Sequence, residues 1–269
     1  MSSQTIAIRL IDTVESLNPC IADLIMVNPT ASNNRAIKAP ELVTPKMDSI
    51  AVDMEGVPLN RHGKVSIVQM RRTGSDVVWL LDITTCGQAL FDHTHPGNGW
   101  SIRKILQSKD IKKLFYDVRR DADALYNIYN IDVACILDLQ LLDLAVTLSE
   151  KKYGAAKRLT GLGQAISKLL PPSAEWKEIK EEGTELFSPA KGGSYEVFEE
   201  RPMDRRLLLY CAHDVLFLHD LEAALSVRLT EDRDMWAYRV VKAGRVRLRE
   251  GKAPVMAPEG KHRALAPRI

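Results

Sequence analysis

"SIAVDMEGVPLNRHGKVSIVQM", residues 49–70, holds two carboxylates in a stretch otherwise composed for burial. Its flanks, SIAVDMEG and KVSIVQM, are apolar and β-branched, and GVPLNRHG joins them over a hairpin-length connection with a glycine at each end. The pattern predicts two antiparallel strands. VVWLLDI, after RTGSD, supplies a third and makes a meander. Side chains alternate along a strand, so Val52 and Met54 face one way while Asp53 and Glu55 share the other. Two carboxylates that close repel, and both stay ionised cheaply only with a cation between them. A divalent metal is the simplest such partner. D-x-E also arises by chance on a solvated strand face, so the motif is weak on spacing alone. Asp220 and Glu222 in "DLE" are an internal control. They fall in a helix, where a step of two turns the side chains to nearly opposite sides.

Working outward, IAIRLIDT reads as a strand and VESLNPCIADLIM as a short helix. The Asn-, Pro- and Ser-rich stretch near 29–48 reads as an insertion-like loop. Beyond the meander, SIRKILQS is helical, IKKLFYD extended and VRRDADALYNIYN helical. ILDLQLLDLAVTLSE is a strand end running into a helix capped by Asp138, and LTGLGQAISKLL is a further helix. Residues 171–202 shift to Pro, Gly, Glu and Lys and read as a second, irregular connection. MDRRLLLYCAHDVLFLHDLEAALSVRL is one strongly apolar helix, and WAYRVVKAGRVRLRE a basic one. The tail after it has the Pro, Gly and Ala content of disorder. Strands first, then alternating helix and strand, imply an α/β fold with a mixed sheet packed by helices. The domain is expected over residues 1–230, with 231–269 as basic helix and disordered tail.

Bulk composition excludes more than it selects. The 269 residues are 45% hydrophobic and 27% charged, as in a globular chain, and the net charge of +2 does not by itself identify a polyanionic partner. Cys20, Cys86, Cys135 and Cys211 are far apart and form no C-x-x-C pair. That argues against zinc, a redox dithiol or a disulfide scaffold and fits a reducing, intracellular compartment, nucleus or cytoplasm. No apolar run approaches the ~20 residues that span a bilayer, and the first residues lack the pattern of a signal peptide. No membrane partner is expected.

Two further segments carry candidate chemistry. In LLLYCAHDVLFLHDL, Tyr210 and Asp214 lie four apart, hence on one helix face, in a segment too apolar to be solvated all round. His213 points elsewhere. In KKLFYDVRRDADAL, Asp117 can cap the helix, Asp123 can face solvent, and Asp121 shares a face with Asp117 and Leu125. Spacing does not choose among these three acids. Lys112, Lys113, Arg119 and Arg120 form a local basic cluster that suits either phosphate or a solvated surface.

Taken in order, VDMEG, KKLFYDVRRDADAL and YCAHD resemble the three acidic motifs of the DEDD superfamily of 3′-to-5′ exonucleases, in the branch of ribonuclease D, the Werner-type exonuclease domain and the Egalitarian-like proteins. The resemblance covers roughly residues 45–225, and GGSYEVFEERPM resembles the Egalitarian-like branch. It implies a ribonuclease H-like fold and selects Asp121, five residues after Tyr116. Y-x-x-x-D at 210–214, with Leu209 where the histidine subgroup has His, marks the tyrosine type. The resemblance further implies two Mg2+ or Mn2+ ions held by Asp53, Glu55, Asp121 and Asp214, with Tyr210 positioning the attacking water. The expected activity is metal-dependent hydrolysis of phosphodiester bonds in single-stranded RNA or DNA from its 3′ end, releasing nucleoside 5′-monophosphates. The alternative is a non-catalytic RNA-binding or dimerising adaptor on the same fold. A D-x-D phosphatase is disfavoured because Glu55 stands where a second Asp belongs. Four carboxylates repel a polyanion, so binding needs cations around them. Candidates are Arg119, Arg120 and Lys191, and also Arg239, Lys242, Arg245, Arg247 and Arg249, whose helix suits a solvated amphipathic face better than a nucleic-acid track and could also serve a homodimer or a protein partner.

Overall fold

The computed structural model describes residues 6–26, 38–43, 48–150, 157–170, 173–230, 232–258 and 260–269. Its elements are β1 (Ala7–Ile11), α1 (Leu17–Leu24), α2 (Ala39–Leu42), β2 (Ser49–Gly56), β3 (Val65–Arg72), β4 (Val77–Asp82), α3 (Ile83–Cys86), α4 (Ala89–Asp92), α5 (Ile102–Gln107) and β5 (Lys112–Phe115). There follow α6 (Arg119–Tyr129), β6 (Ile136–Asp138), α7 (Leu139–Glu150), α8 (Leu162–Leu169), α9 (Ala174–Phe187), α10 (Arg205–Leu216), α11 (Leu218–Arg228) and α12 (Arg233–Lys252).

The strands form one mixed sheet in the order β1-β4-β3-β2-β5-β6. β2, β3 and β4 are the antiparallel meander. β1 runs parallel to β4, β5 to β2 and β6 to β5. Both faces are covered, which is why the central strands are apolar almost throughout. Ile50, Val52 and Met54 pack with Leu17 and Ile21 of α1, Ile105 of α5 and Leu125 of α6. Ala51, on the opposite face, packs with Leu142 of α7, Cys211 and Val215 of α10 and Leu221 of α11. Asp53 and Glu55 follow Ala51 in parity and so point towards the α10 side.

Four expectations change. Lys112 and Lys113 are buried inside the fold: the Lys112 ammonium lies 2.6 Å from Glu222, and Lys113 donates to the carbonyls of Ile105 and Ser108. A strand with helices on both faces leaves its flanking lysines no route to solvent. Residues 174–187 are helical, with Ser173 as N-cap accepting from the Trp176 N–H and Trp176 buried; the stretch read as wholly irregular therefore hides a helix whose apolar side is only a few residues wide. The long apolar helix breaks at Phe217, and Arg71 of β3 donates to the freed Leu216 carbonyl. The tail is docked: Leu159 N–H donates to Ala264, Ala266 N–H to Lys157, and Arg119 and Arg239 donate to the carbonyls of Arg263 and Ile269. Backbone pairing, which composition does not register, fixes it. Of the insertion-like loop, residues 29–37 and 44–47 lie outside the described residues, and 39–42 are α2.

Lys112→Met is expected to destabilise the protein by about 3–5 kcal/mol in urea unfolding, because it strands a buried Glu222. The double variant Lys112→Met/Glu222→Leu should regain most of that loss; an unchanged midpoint in the single variant would show the pair to be inert.

Candidate active site

The site begins at the end of β2, where its pairing with β3 slips. Asp53 pairs across the sheet with Gln69 and Glu55 with Ile67, and the register slips between Glu55 and Gly56. Position 56 has no room for a side chain, since a Cβ would collide with the Lys64 carbonyl. The strand can therefore end in a kink directly after Glu55. α10 crosses the same face and delivers Asp214, and carboxylate oxygens of Asp53, Glu55 and Asp214 all lie within 4.8 Å of one another.

Asp121 approaches from the neighbouring crossover. β5 lies parallel to β2, with Ala51 opposite Leu114, so the chain leaving β5 rises beside the end of β2 and turns into α6. Asp138 holds that turn. Its carboxylate accepts from the N–H groups of Asp117 and Val118 at 3.1 Å and of Gln140 at 3.1 Å, and from Arg247 at 2.6 Å. Asp117 adopts a left-handed φ of 70° and chelates Arg119 through two hydrogen bonds of 2.5 Å. Asp123 is gripped by the backbone N–H and guanidinium of Arg61 at 2.6–2.8 Å. It does not face solvent. Asp121 is buried, and among the described residues its Oδ1 has no hydrogen-bond partner. Among the described residues, Asp117 and Asp123 have arginine pairs and Asp121 has none.

The electrostatics follow from crowding. Burial, then Asp214, Asp121 and Glu55, push the Asp53 carboxyl well above its ordinary range. Burial and Asp214 raise Glu55 to about 8, and burial with Asp117 and Asp138 nearby raises Asp121 to about 8. Burial also raises Asp214. Its Oδ2 is likewise unpartnered among the described residues. Orphaned oxygens and mutually raised carboxyls are what a set of hard oxygen ligands shows before a cation arrives.

One cation is present that sequence reading missed. The Lys180 ammonium of α9 lies 2.6 Å from Asp214 Oδ1 and 3.2 Å from the centre of the Tyr210 ring. It opposes the upward shifts of Asp53, Glu55 and Asp214. Gly183 makes this possible: a Cβ there would sit 2.5 Å from the Tyr210 Cβ, so only glycine lets α9 lie against α10 at that point. Phe187 then meets the Tyr210 ring edge-on at 5.0 Å. Burial and Asp214 hold the Tyr210 hydroxyl far above the usual phenol range. Trp176, Lys180, Gly183 and Phe187 recur at helical spacing, which is the signal that was available in the sequence.

Among the basic candidates, Arg120 is exposed and near enough to lower Glu55 and Asp121. Arg119 is engaged with Asp117, Lys191 faces Glu181 at 3.8 Å, and Arg247 is buried between Asp138 and Gln140. His213 bonds the Leu209 carbonyl within its own helix.

A family model described as 3′-5′ exonuclease matches residues 29–230. The piRNA biogenesis protein EXD1 of Bombyx mori is 23% identical over 197 residues, 73% of this chain and 54% of that protein. The chain thus spans about half the length of this curated relative. Trypanosoma brucei RNase D in complex with RNA U12 superimposes with a TM-score of 0.73 at 20% identity, over 98% of this chain and 77% of that one. Its GMP complex gives 0.71 at 20% identity, over 96% and 68%. Brucella melitensis NrnC with bound Mg2+ gives 0.53 at 21% identity, over 76% and 83%. The mixed sheet with flanking helices is the ribonuclease H-like arrangement that the motifs implied.

Asp121→Asn is expected to raise the melting temperature in EDTA at pH 8 by about 2–4 °C, roughly 1 kcal/mol or more. A carboxyl raised from 3.8 to about 8 costs the fold nothing below its unfolded pKa and progressively destabilises it as pH climbs towards the folded value. The gain should therefore vanish near pH 3.5; an equal gain at both pH values would assign it to packing.

Proposed function

This chain belongs to the 3′-5′ exonuclease family, and we propose that it is a metal-dependent enzyme that removes nucleoside 5′-monophosphates from the 3′ end of single-stranded RNA or DNA. The observation that carries this reading is the convergence of Asp53, Glu55 and Asp214, with Asp121 beside them, at the end of the central strand. Oxygen donors alone, with two buried carboxylate oxygens unpartnered, suit Mg2+ or Mn2+ better than a softer metal. The RNA U12, GMP and Mg2+ complexes of the structural neighbours are the ligand classes such a reaction needs.

In this reading Asp53, Glu55, Asp121 and Asp214 hold two divalent ions. When bound, the ions supply charge neutralisation at the scissile phosphate and acidify the attacking water. The protein's own side chains do the positioning. Tyr210 keeps its proton at neutral pH, because burial and Asp214 raise its pKa; it orients the water as a hydrogen-bonding group and is not the base. Lys180 neutralises Asp214 before substrate arrives. Arg120, exposed at the rim, offers a guanidinium to phosphate oxygens. Water attacks phosphorus and gives up a proton to solvent, the bond to the upstream 3′ oxygen breaks, that oxygen takes up a proton to become the new 3′ hydroxyl, and the terminal nucleotide leaves with its 5′ phosphate.

A second reading, the non-catalytic RNA-binding or dimerising adaptor, is favoured by one observation: the Lys180–Asp214 pair places a tethered cation at the cluster. Metal binding separates the two. Asp53→Asn should lower mononucleotide release from a 3′-labelled oligonucleotide on the order of 10²–10³-fold, as expected for lost electrostatic stabilisation, while circular dichroism stays unchanged; a wild-type rate would remove the site assignment. Lys180→Met should tighten Mn2+ binding in isothermal titration, since the ammonium competes for Asp214. If neither the wild type nor this variant binds Mn2+, the adaptor reading wins.

A further inference from the structure

Helix α12 carries Arg233, Arg239, Lys242, Arg245, Arg247, Arg249 and Lys252, and the fold uses only some of them. Arg233 donates to the Val43 carbonyl, Arg239 lies over Trp236 and donates to Ile269, Arg247 is buried on Asp138, and Lys252 pairs with Asp132. Among the described residues, Lys242, Arg245 and Arg249 have no acidic partner. With Lys252 they recur at i, i+3, i+7 and i+10, one continuous face about 15 Å long. They line an open groove of about 950 Å³ together with Lys38 and Tyr238, a residue that is 59% exposed. A second groove of about 570 Å³ shares Arg245 and Lys252 and adds Lys109. Six cations thus face two carboxylates, Asp132 and Asp234, on a chain whose whole net charge is +2.

The helix that lines the groove packs against α6, which carries Asp121. The C-terminal end of α12 abuts the first turns of α6, where a Cβ on Gly251 would lie 3.0 Å from the Asp123 backbone N, two residues from Asp121. Lys252 stands over the Tyr126 ring of the same helix. The other end of α12 packs against α2.

We propose that the Lys242–Arg245–Arg249 face binds the phosphodiester backbone of a single-stranded polynucleotide, holding the stretch on the 5′ side of the end that occupies the carboxylate site. The polarity rests on the exonuclease reading; the binding does not. A cluster of carboxylates repels the polyanion it must receive, so the attraction has to come from outside it, and a basic face on the helix that packs against α6 supplies it. Tyr238 adds an exposed ring for a base to stack on.

The test uses the full chain with Lys242→Glu, Arg245→Glu and Arg249→Glu combined, and a second variant with glutamine at the same positions to keep charge reversal from perturbing the fold. Oligo(U) of 4 and 24 nucleotides is titrated in EDTA by fluorescence anisotropy across a salt series. Expected are a tenfold or greater loss for the 24-mer, a log K against log[salt] slope shallower by about 2, and an unchanged 4-mer affinity. Turnover of the p-nitrophenyl ester of thymidine 5′-monophosphate with Mn2+ should also be unchanged. Wild-type 24-mer affinity in both variants, or an equal loss for the 4-mer, overturns the proposal. So does retained 24-mer binding with lost binding of a polyglutamate peptide, which assigns the face to an acidic protein. A wild-type chain that hydrolyses neither substrate yet shows the length-dependent loss sinks the hydrolytic reading and supports the binding face.

Discussion

The arrangement of this molecule turns on placing three carboxylates side by side, with Asp121 near them, at the end of a buried strand. Removing one such group from water is unfavourable, and each further like charge compounds it. Asp53 and Glu55 sit where a core would take valine, and the neighbouring elements are arranged around that imposition. The pairing with β3 slips after Glu55, β5 brings α6 alongside, and α10 closes over the face with Asp214. The upward displacement of all four acids records how incomplete the compensation is without a cation.

The surrounding acids show the opposite solution. Asp117, Asp123 and Asp138 are each matched to an arginine, from Arg119, Arg61 and Arg247 respectively. These pairs spend their charge on geometry: they fix the β5–α6 turn and dock α12 against it. Lys180 stands between the two classes, because it neutralises Asp214 from a helix that glycine alone allows to come so close. The same division runs through the basic residues, some locked into the framework and some left facing solvent along α12.

What could be read in advance follows from which interactions are local. The meander was legible because apolar runs and glycine-flanked turns encode it within some thirty residues, and strand parity put Asp53 and Glu55 on one face. Tyr210 and Asp214 were legible for the same reason at helical spacing. The choice of Asp121 over Asp117 and Asp123 was not, and needed family resemblance: the arginines that claim the other two come from 62 positions away in one case and from an unusual left-handed turn in the other. Helix α9 was hidden because its sequence is mostly glutamate and lysine around a thin packed stripe, and Lys180 was hidden with it. Arg247 looked like any other member of a basic helix, since nothing local distinguishes the one arginine that is buried. The docked tail depends on pairing with residues 157–159, which no window of the sequence contains.

The Arg247–Asp138 contact spans 109 positions, and that separation has a bearing on biosynthesis. The turn carrying Asp121 receives its clamp only after helix α12 has left the ribosome, so a growing chain has β5 and α6 long before it has the arginine that sets them. Long-range closures of this kind form late. A polypeptide emerging beside the very transcript that encodes it would thus lack the clamp on the Asp121 turn until α12 had been synthesised.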